Sequence, residues 1–389
     1  MAVADIIEQH ADEAAFLWRT RSAAAGGPNY TLSDLAAFDD RIEAHLDGLR
    51  VAGPPGTEIA ASMADDEAGC VFVLGVLALE QTDRDLYAQA LALTEASDDH
   101  AQAFVSALSW LPPASTTAPR EHLIRASGTH QRHLGLRAAL ALREDVGPLL
   151  PKALDDDDGS LRRIALRAAG LLGRTDLLRT LEGHRESATS DEAFLAAWSG
   201  GRMGDHDAVL ALLDGIRTHA PRTGDALDVV VRRLEVPDAQ DLVRHLMGQD
   251  DRQRDAIMAT GILGDPAAIP WLIDRFEDLS TARLAGDAFS LITGADLVDL
   301  NLDRDPPEDV ESGPTDDPDD DDVDMDADDT LPWPDRDRIA AWWSAEQGTF
   351  TKGVRHLLGS PIDAVSARDA LLRGTPRQRS AAALELAIL

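Results

Sequence analysis

The chain has 389 residues and carries 36 Lys and Arg against 70 Asp and Glu, a formal net charge of −34. That balance argues against sequence-independent binding to nucleic acid, where Lys and Arg neutralising phosphates supply most of the affinity. One cysteine, Cys70, excludes an intramolecular disulfide framework and any multi-cysteine zinc site. With 44% hydrophobic but only 4% aromatic residues, the expected core is built mainly of Ala, Leu, Val and Ile.

At the start, MAVADIIEQHADEAAF has acids where a secretory signal carries basic residues, so the expected location is cytoplasmic. Residues 1–60 read as a helical cap. One helix runs from Asp5 to about Arg21. After an AAAGGPN break, Thr31-Leu-Ser-Asp34 reads as a capping box, and Leu35, Phe38, Ile42, Leu46 and Leu49 recur at helical spacing. Gly53-Pro54-Pro55-Gly56 is expected to end that second helix. The apolar run Ala68–Leu79 is too short to span a bilayer and reads as a buried helix. No membrane is expected as a partner.

Residues 61–295 carry a repeat. Anchors at Leu79, Leu111, Leu142, Leu172, Met203, Leu234 and Leu263 lie 32, 31, 30, 31, 31 and 29 residues apart, with a weaker one at Leu291. An Ala- and Leu-rich helix precedes each anchor, as in SLRRIALRAAGLLG. A short turn follows, then a second helix. Asp83, Asp176, Asp207 and Asp238, each four residues past an anchor, are expected to cap those second helices. Pro266 suits a first helical turn.

Residues 296–331 read as an acidic, disordered linker, since Asp303–Asp329 holds thirteen Asp and two Glu with one Arg. Its alternating aspartates do not form a calcium loop, because positions six and twelve counted from Asp320 are Met325 and Leu331. Residues 332–389 read as a C-terminal helical module, with helices near Asp335–Glu346, Ser360–Leu372 and Thr375–Leu389. Trp342 and Trp343 cannot both face one narrow helix stripe. They are either both buried against the repeats or divided between the repeats and a partner.

LGDPAAIPWLIDRFED, followed by Arg283 and Ala285, resembles the HEAT repeat, and more closely its short subclass found in phycobilin lyase subunits. The resemblance implies an all-α fold: a HEAT-like solenoid, a right-handed superhelix of helix pairs with a period of about 31 residues. EQHADEAAFLWRTR, AHLDGLRVAG, SLITGADL, WPDRDRIAAWW and QRSAAALELAIL also resemble a family of bacterial HEAT-repeat proteins, some of them encoded near type VI secretion genes. No catalytic residue is established for that family, so the resemblance assigns none here.

The residues agree. There is no Gly-x-Ser-x-Gly elbow, P-loop or G-x-G-x-x-G. His130 and His133 share a helical spacing but no metal motif, Asp205-His206-Asp207 reads as a polar turn, and Cys70 as an inert buried thiol. The expectation is a non-enzymatic scaffold or adaptor without cofactor or metal, gripping another protein that bears a basic patch. Its candidate contact residues are Arg179, Arg244, Arg275, Trp342 and Trp343. The alternative is a ligand-handling enzyme of the phycobilin-lyase type, with Arg174, Arg179, Arg244 and Arg275 meeting an anionic ligand in the groove. Ion pairs with the abundant acids explain those arginines equally well. A third reading has the acidic surface mimic DNA.

Overall fold

A computed structural model describes residues 4–65, 67–187, 190–307, 326 and 328–389. The described chain is all-α, with twenty-one α-helices and two minimal β-ladders. It divides into two compact units, residues 1–25 with 33–203, and residues 26–32 with 204–389.

The first unit opens with α1 (Ala4–Gly26), α2 (Leu32–Ala52) and α3 (Pro54–Met63). Gly53-Pro54 ends α2 as expected, but Pro54 also starts α3. A proline at the first helical position loses no hydrogen bond, so the stop signal serves as a start signal too. Ile7, Ala14, Leu17 and Trp18 of α1 and Ile42, Leu46 and Leu49 of α2 join one core with α4 (Ala68–Gln81). Every residue from Gly69 to Leu79 in α4 is buried, which accounts for its apolar run without a membrane. Each fully buried Val, Leu or Phe there contributes about 1.5–3 kcal/mol relative to exposure.

Next come α5 (Arg84–Leu93), α6 (Asp98–Trp110), α7 (Pro113–Ile124), α8 (Thr129–Ala141), α9 (Leu149–Leu154), α10 (Gly159–Leu171), α11 (Leu178–Ser187) and α12 (Ser190–Arg202). The even-numbered helices α4, α6, α8, α10 and α12 pack consecutively on one another. The flanking α7, α9 and α11 each lie on the even-numbered helix that follows. Small residues set the approach. A Cβ at Gly170 of α10 would stand 2.7 Å from Ser199 Cα of α12, and Ser199 Oγ donates to the Leu166 carbonyl at 2.6 Å.

In the second unit α13 (His206–Arg217), α15 (Val236–Met247) and α17 (Ile269–Arg275) flank the row α14 (Thr223–Arg233), α16 (Gln253–Leu263) and α18 (Ala282–Thr293). Strand β1 (Asp303–Arg304) pairs antiparallel with β2 (Trp333–Pro334), ahead of α19 (Arg336–Glu346). A second antiparallel pair, β3 (His356–Leu357) with β4 (Ser360–Pro361), precedes α20 (Ala364–Arg373) and α21 (Pro376–Ile388). The middle C-terminal helix therefore begins later than Ser360. Asp363 caps it with a full capping box, and Pro361 belongs to the strand before it.

Three expectations differ from the observed caps. Asp83 caps α5 as predicted, accepting from the Asp85 and Leu86 amides. Asp207 instead lies inside the first turn of α13, whose cap is Asp205, Asp238 lies inside the first turn of α15, whose N-cap position is Glu235, and Asp176 holds Arg174 rather than a helix end. The cap follows the last extended residue before the helix, so a two-residue slip moves it to another aspartate.

The ends of the acidic segment are folded into the second unit. Leu302 and Leu331 are buried, and Asp328 accepts from Arg254 at 2.7 Å with its side chain almost wholly withdrawn from solvent. Asp326 pairs with Arg283, whose guanidinium lies 4.7 Å from the centre of the Trp333 ring. Asp320, Asp322 and Asp324 of the proposed alternation lie outside the described residues. No helix among the described residues is long and apolar enough to cross a membrane.

Candidate binding cleft

The arginines singled out in the sequence each have their own surroundings. Arg174 is held by Asp176 through two contacts of 2.8 Å and by Asp145 at 2.8 Å. Arg179 is exposed on α11 in the first unit. In the second unit Arg244 is exposed and paired with Asp241, one turn back on α15. Arg275 lies 5.6 Å from the ring of Trp271, with Nη1 3.5 Å from Gln253 Oε1.

The two tryptophans do come together. Trp343 is buried against Phe350, at 5.3 Å between ring centres, and the partly buried Trp342 meets Phe289 edge-on at 5.6 Å. Both pack on one core with Ile339, Phe276 and Ile292. Each ring thus has a partner inside its own unit.

The histidines are likewise engaged. His130 Nε2 lies 2.6 Å from Thr94 Oγ1, while His133 Nε2 lies 3.2 Å from Asp158 Oδ1 and 3.1 Å from Ser160 Oγ. Burial pushes His133 below its ordinary pKa despite the neighbouring carboxylate. Backbone donation from Leu161, the Ser160 hydroxyl and His133 draw the Asp158 carboxyl down to about 2. This arrangement caps α10 and does not activate a nucleophile, because the serine and the aspartate address the same imidazole nitrogen. Among the described residues no group of three or more His, Cys, Asp and Glu is placed to hold a metal ion.

What the sequence did not reveal is a cleft of about 690 Å³ between α13 and α15. Leu213, Leu234 and Leu242 form its apolar floor, and Leu210 stands at its edge, 46% exposed. His206, Arg217, Asp238, Asp241 and His245 line the rim. The first two helical turns of α13 place His206, Leu210 and Leu213 on one side at i, i+4 and i+7 spacing. Asp207, Asp214 and Asp238 on these two helices are exposed and make no ion pair among the described residues. An apolar trough with the exposed Asp238 carboxylate on its rim suits an apolar side chain flanked by a cation. The one available signal was Leu210, an apolar residue on the polar side of α13's periodicity.

In comparison with known proteins, no family model matches the chain, and neither a curated protein nor a solved structure does.

Proposed function

We propose that the chain is a non-enzymatic protein–protein interaction scaffold, built as a HEAT-like solenoid with a right-handed superhelix of helix pairs. The period of about 31 residues and the consecutive packing within α4–α6–α8–α10–α12 and within α14–α16–α18 support that architecture. Its partner is a basic, partly apolar segment of another protein. A cytoplasmic location, expected from the N-terminal residues, and a secretion-linked setting, implied by the family resemblance, belong to the same proposal.

The observation that carries the binding reading is the cleft between α13 and α15: a leucine floor with an exposed Leu210, and on the rim Asp238, an exposed carboxylate with no ion pair among the described residues. In a chain of net charge −34, encounter with a basic segment is steered and encounter with an acidic one is opposed.

The test is selection from a random peptide library against the full chain, followed by affinity measurement. The double variant Leu210→Asp, Asp238→Lys changes two exposed positions and should leave the fold intact. Selected peptides should alternate Lys or Arg with apolar residues, weaken with salt, and bind the double variant at least about tenfold less tightly. Selection without basic residues, or equal binding to the variant, would sink the reading.

A further inference from the structure

A second cleft, in the first unit, has a different chemistry. Helix α9 is the shortest of the described α-helices, with six residues against ten to twelve in α5, α7 and α11. The backbone explains why. Arg143 and Gly147 both adopt positive φ, at 56° and 57°, so the chain from Leu142 to Pro148 turns where a first helical turn would otherwise form. The missing turn opens a cleft of about 450 Å³ among α7, α8, α9 and α10.

Ile124, Leu136, Val146 and Leu149 give this cleft apolar walls, and Arg125, Arg132, Lys152 and one carboxylate, Asp156, also line it. The charges around it are already apportioned. Asp156 accepts from Arg132 at 2.9 Å, Glu144 from Arg120 at 2.6 Å, and Asp145 from Arg174 at 2.8 Å. Arg125 and Lys152 are exposed and make no ion pair among the described residues. Lys152 is one of only two lysines in the chain. Arg132 adds a separate sign, because its Nε is buried with no hydrogen-bond partner while its other nitrogens are bonded. An acidic protein that leaves two cations unpaired at one apolar cleft has a local site for negative charge. The volume lies within the range of small-molecule pockets.

We infer that this cleft binds a small amphipathic anion, with a hydrocarbon body on Ile124, Val146 and Leu149 and a carboxylate or phosphate head held by Arg125 and Lys152. The inference is independent of the α13/α15 cleft, which lies in the other unit.

The test is calorimetric titration of the full chain with decanoate, decyl phosphate and decyltrimethylammonium, which share a tail and differ in head. Two variants accompany it: Arg125→Glu with Lys152→Glu, both at exposed positions, and Ala153→Trp, which fills the cleft. Circular dichroism confirms that each variant is folded. One-to-one binding of decanoate or decyl phosphate, at least about tenfold tighter than the cationic probe and weakened at least about tenfold in each variant, supports the site. The tighter of the two anions then identifies the head group. No binding of either anion up to about 1 mM overturns the inference, as does binding that ignores head charge or survives the charge reversal.

Discussion

Arg232 and Glu385 are 153 positions apart, yet Arg232 Nε donates to Glu385 Oε1 at 2.9 Å and the two side chains are only 2% and 3% exposed. The same oxygen accepts from Arg355 Nη2 at 2.5 Å, and Arg232 Nη1 also reaches Asp228 at 2.8 Å. One carboxylate therefore joins α14, the stretch before β3, and α21. A buried ion pair of this kind contributes little net stability against an apolar replacement, but removing one partner strands the other charge.

Replacing Glu385 with Ala should accordingly destabilise the second unit by about 3–5 kcal/mol. Glu385→Gln keeps an acceptor for Arg232 and should lose less. Urea unfolding followed by tryptophan fluorescence, with Trp271, Trp333, Trp342 and Trp343 all in this unit, reads the difference. A loss below about 1 kcal/mol for Glu385→Ala would mean that water reaches the pair.

Gly264 ends α16 at φ 71°, and a Cβ there would stand 2.3 Å from the His356 carbonyl oxygen. The Gly264 carbonyl accepts from His356 N at 2.7 Å, so this close approach anchors the β3–β4 hairpin. Gly264→Ala should cost at least about 1–3 kcal/mol through the left-handed backbone alone, and more through the clash. Gly183 is the control: it lies inside α11 with open space around its Cα, and Gly183→Ala should be neutral or stabilising by up to about 1 kcal/mol. Melting temperatures of opposite or equal shift decide the point.

Asp158 accepts from the Ser160 and Leu161 amides at the start of α10, and its pKa falls from the ordinary 3.8 to about 2. A carboxyl depressed on folding contributes stability above its unfolded pKa, and that contribution is lost as pH falls toward the folded value. Asp158→Asn retains the cap but cannot ionise. Its stability should therefore depend less on pH than the parent's between about pH 4 and pH 2. Parallel slopes in urea titrations across that window would contradict the assignment.

Cys70 is fully buried in α4, and burial pushes its thiol up to about 12. Only the thiolate reacts with an aromatic disulfide. The native protein should stay unlabelled at mildly alkaline pH and react fully in denaturant. Labelling that tracks the urea transition then makes Cys70 a reporter of the first unit's unfolding, whereas prompt native labelling would show that α4 opens locally.

The legible parts of this protein were those whose cause is local. The spacing of Leu35, Ile42, Leu46 and Leu49 dictates α2 because residues three and four apart share a helix face. The cap at Asp83 and the proline start at Pro266 rest on backbone amides a few residues away. Of the candidate contact residues, Arg244 pairs with Asp241, Arg275 lies by Trp271, and Trp342 and Trp343 meet neighbours of their own unit. Arginine in an acidic chain has many possible partners, and composition alone does not choose among them.

Helix content, the buried character of Ala68–Leu79 and the 29–32-residue period follow from the order of residues along the chain. Tertiary structure alone decided that Glu385 answers Arg232, that Asp328 folds back onto Arg254, and that the chain divides into compact units at Met203 and Gly204. It also decided where clefts open, at the six-residue α9 and between α13 and α15. Periodicity specifies which face of a helix is apolar through contacts within one or two turns. A buried ion pair or a cleft depends on which distant surfaces that apolar face brings together, and this is set only when the helices pack.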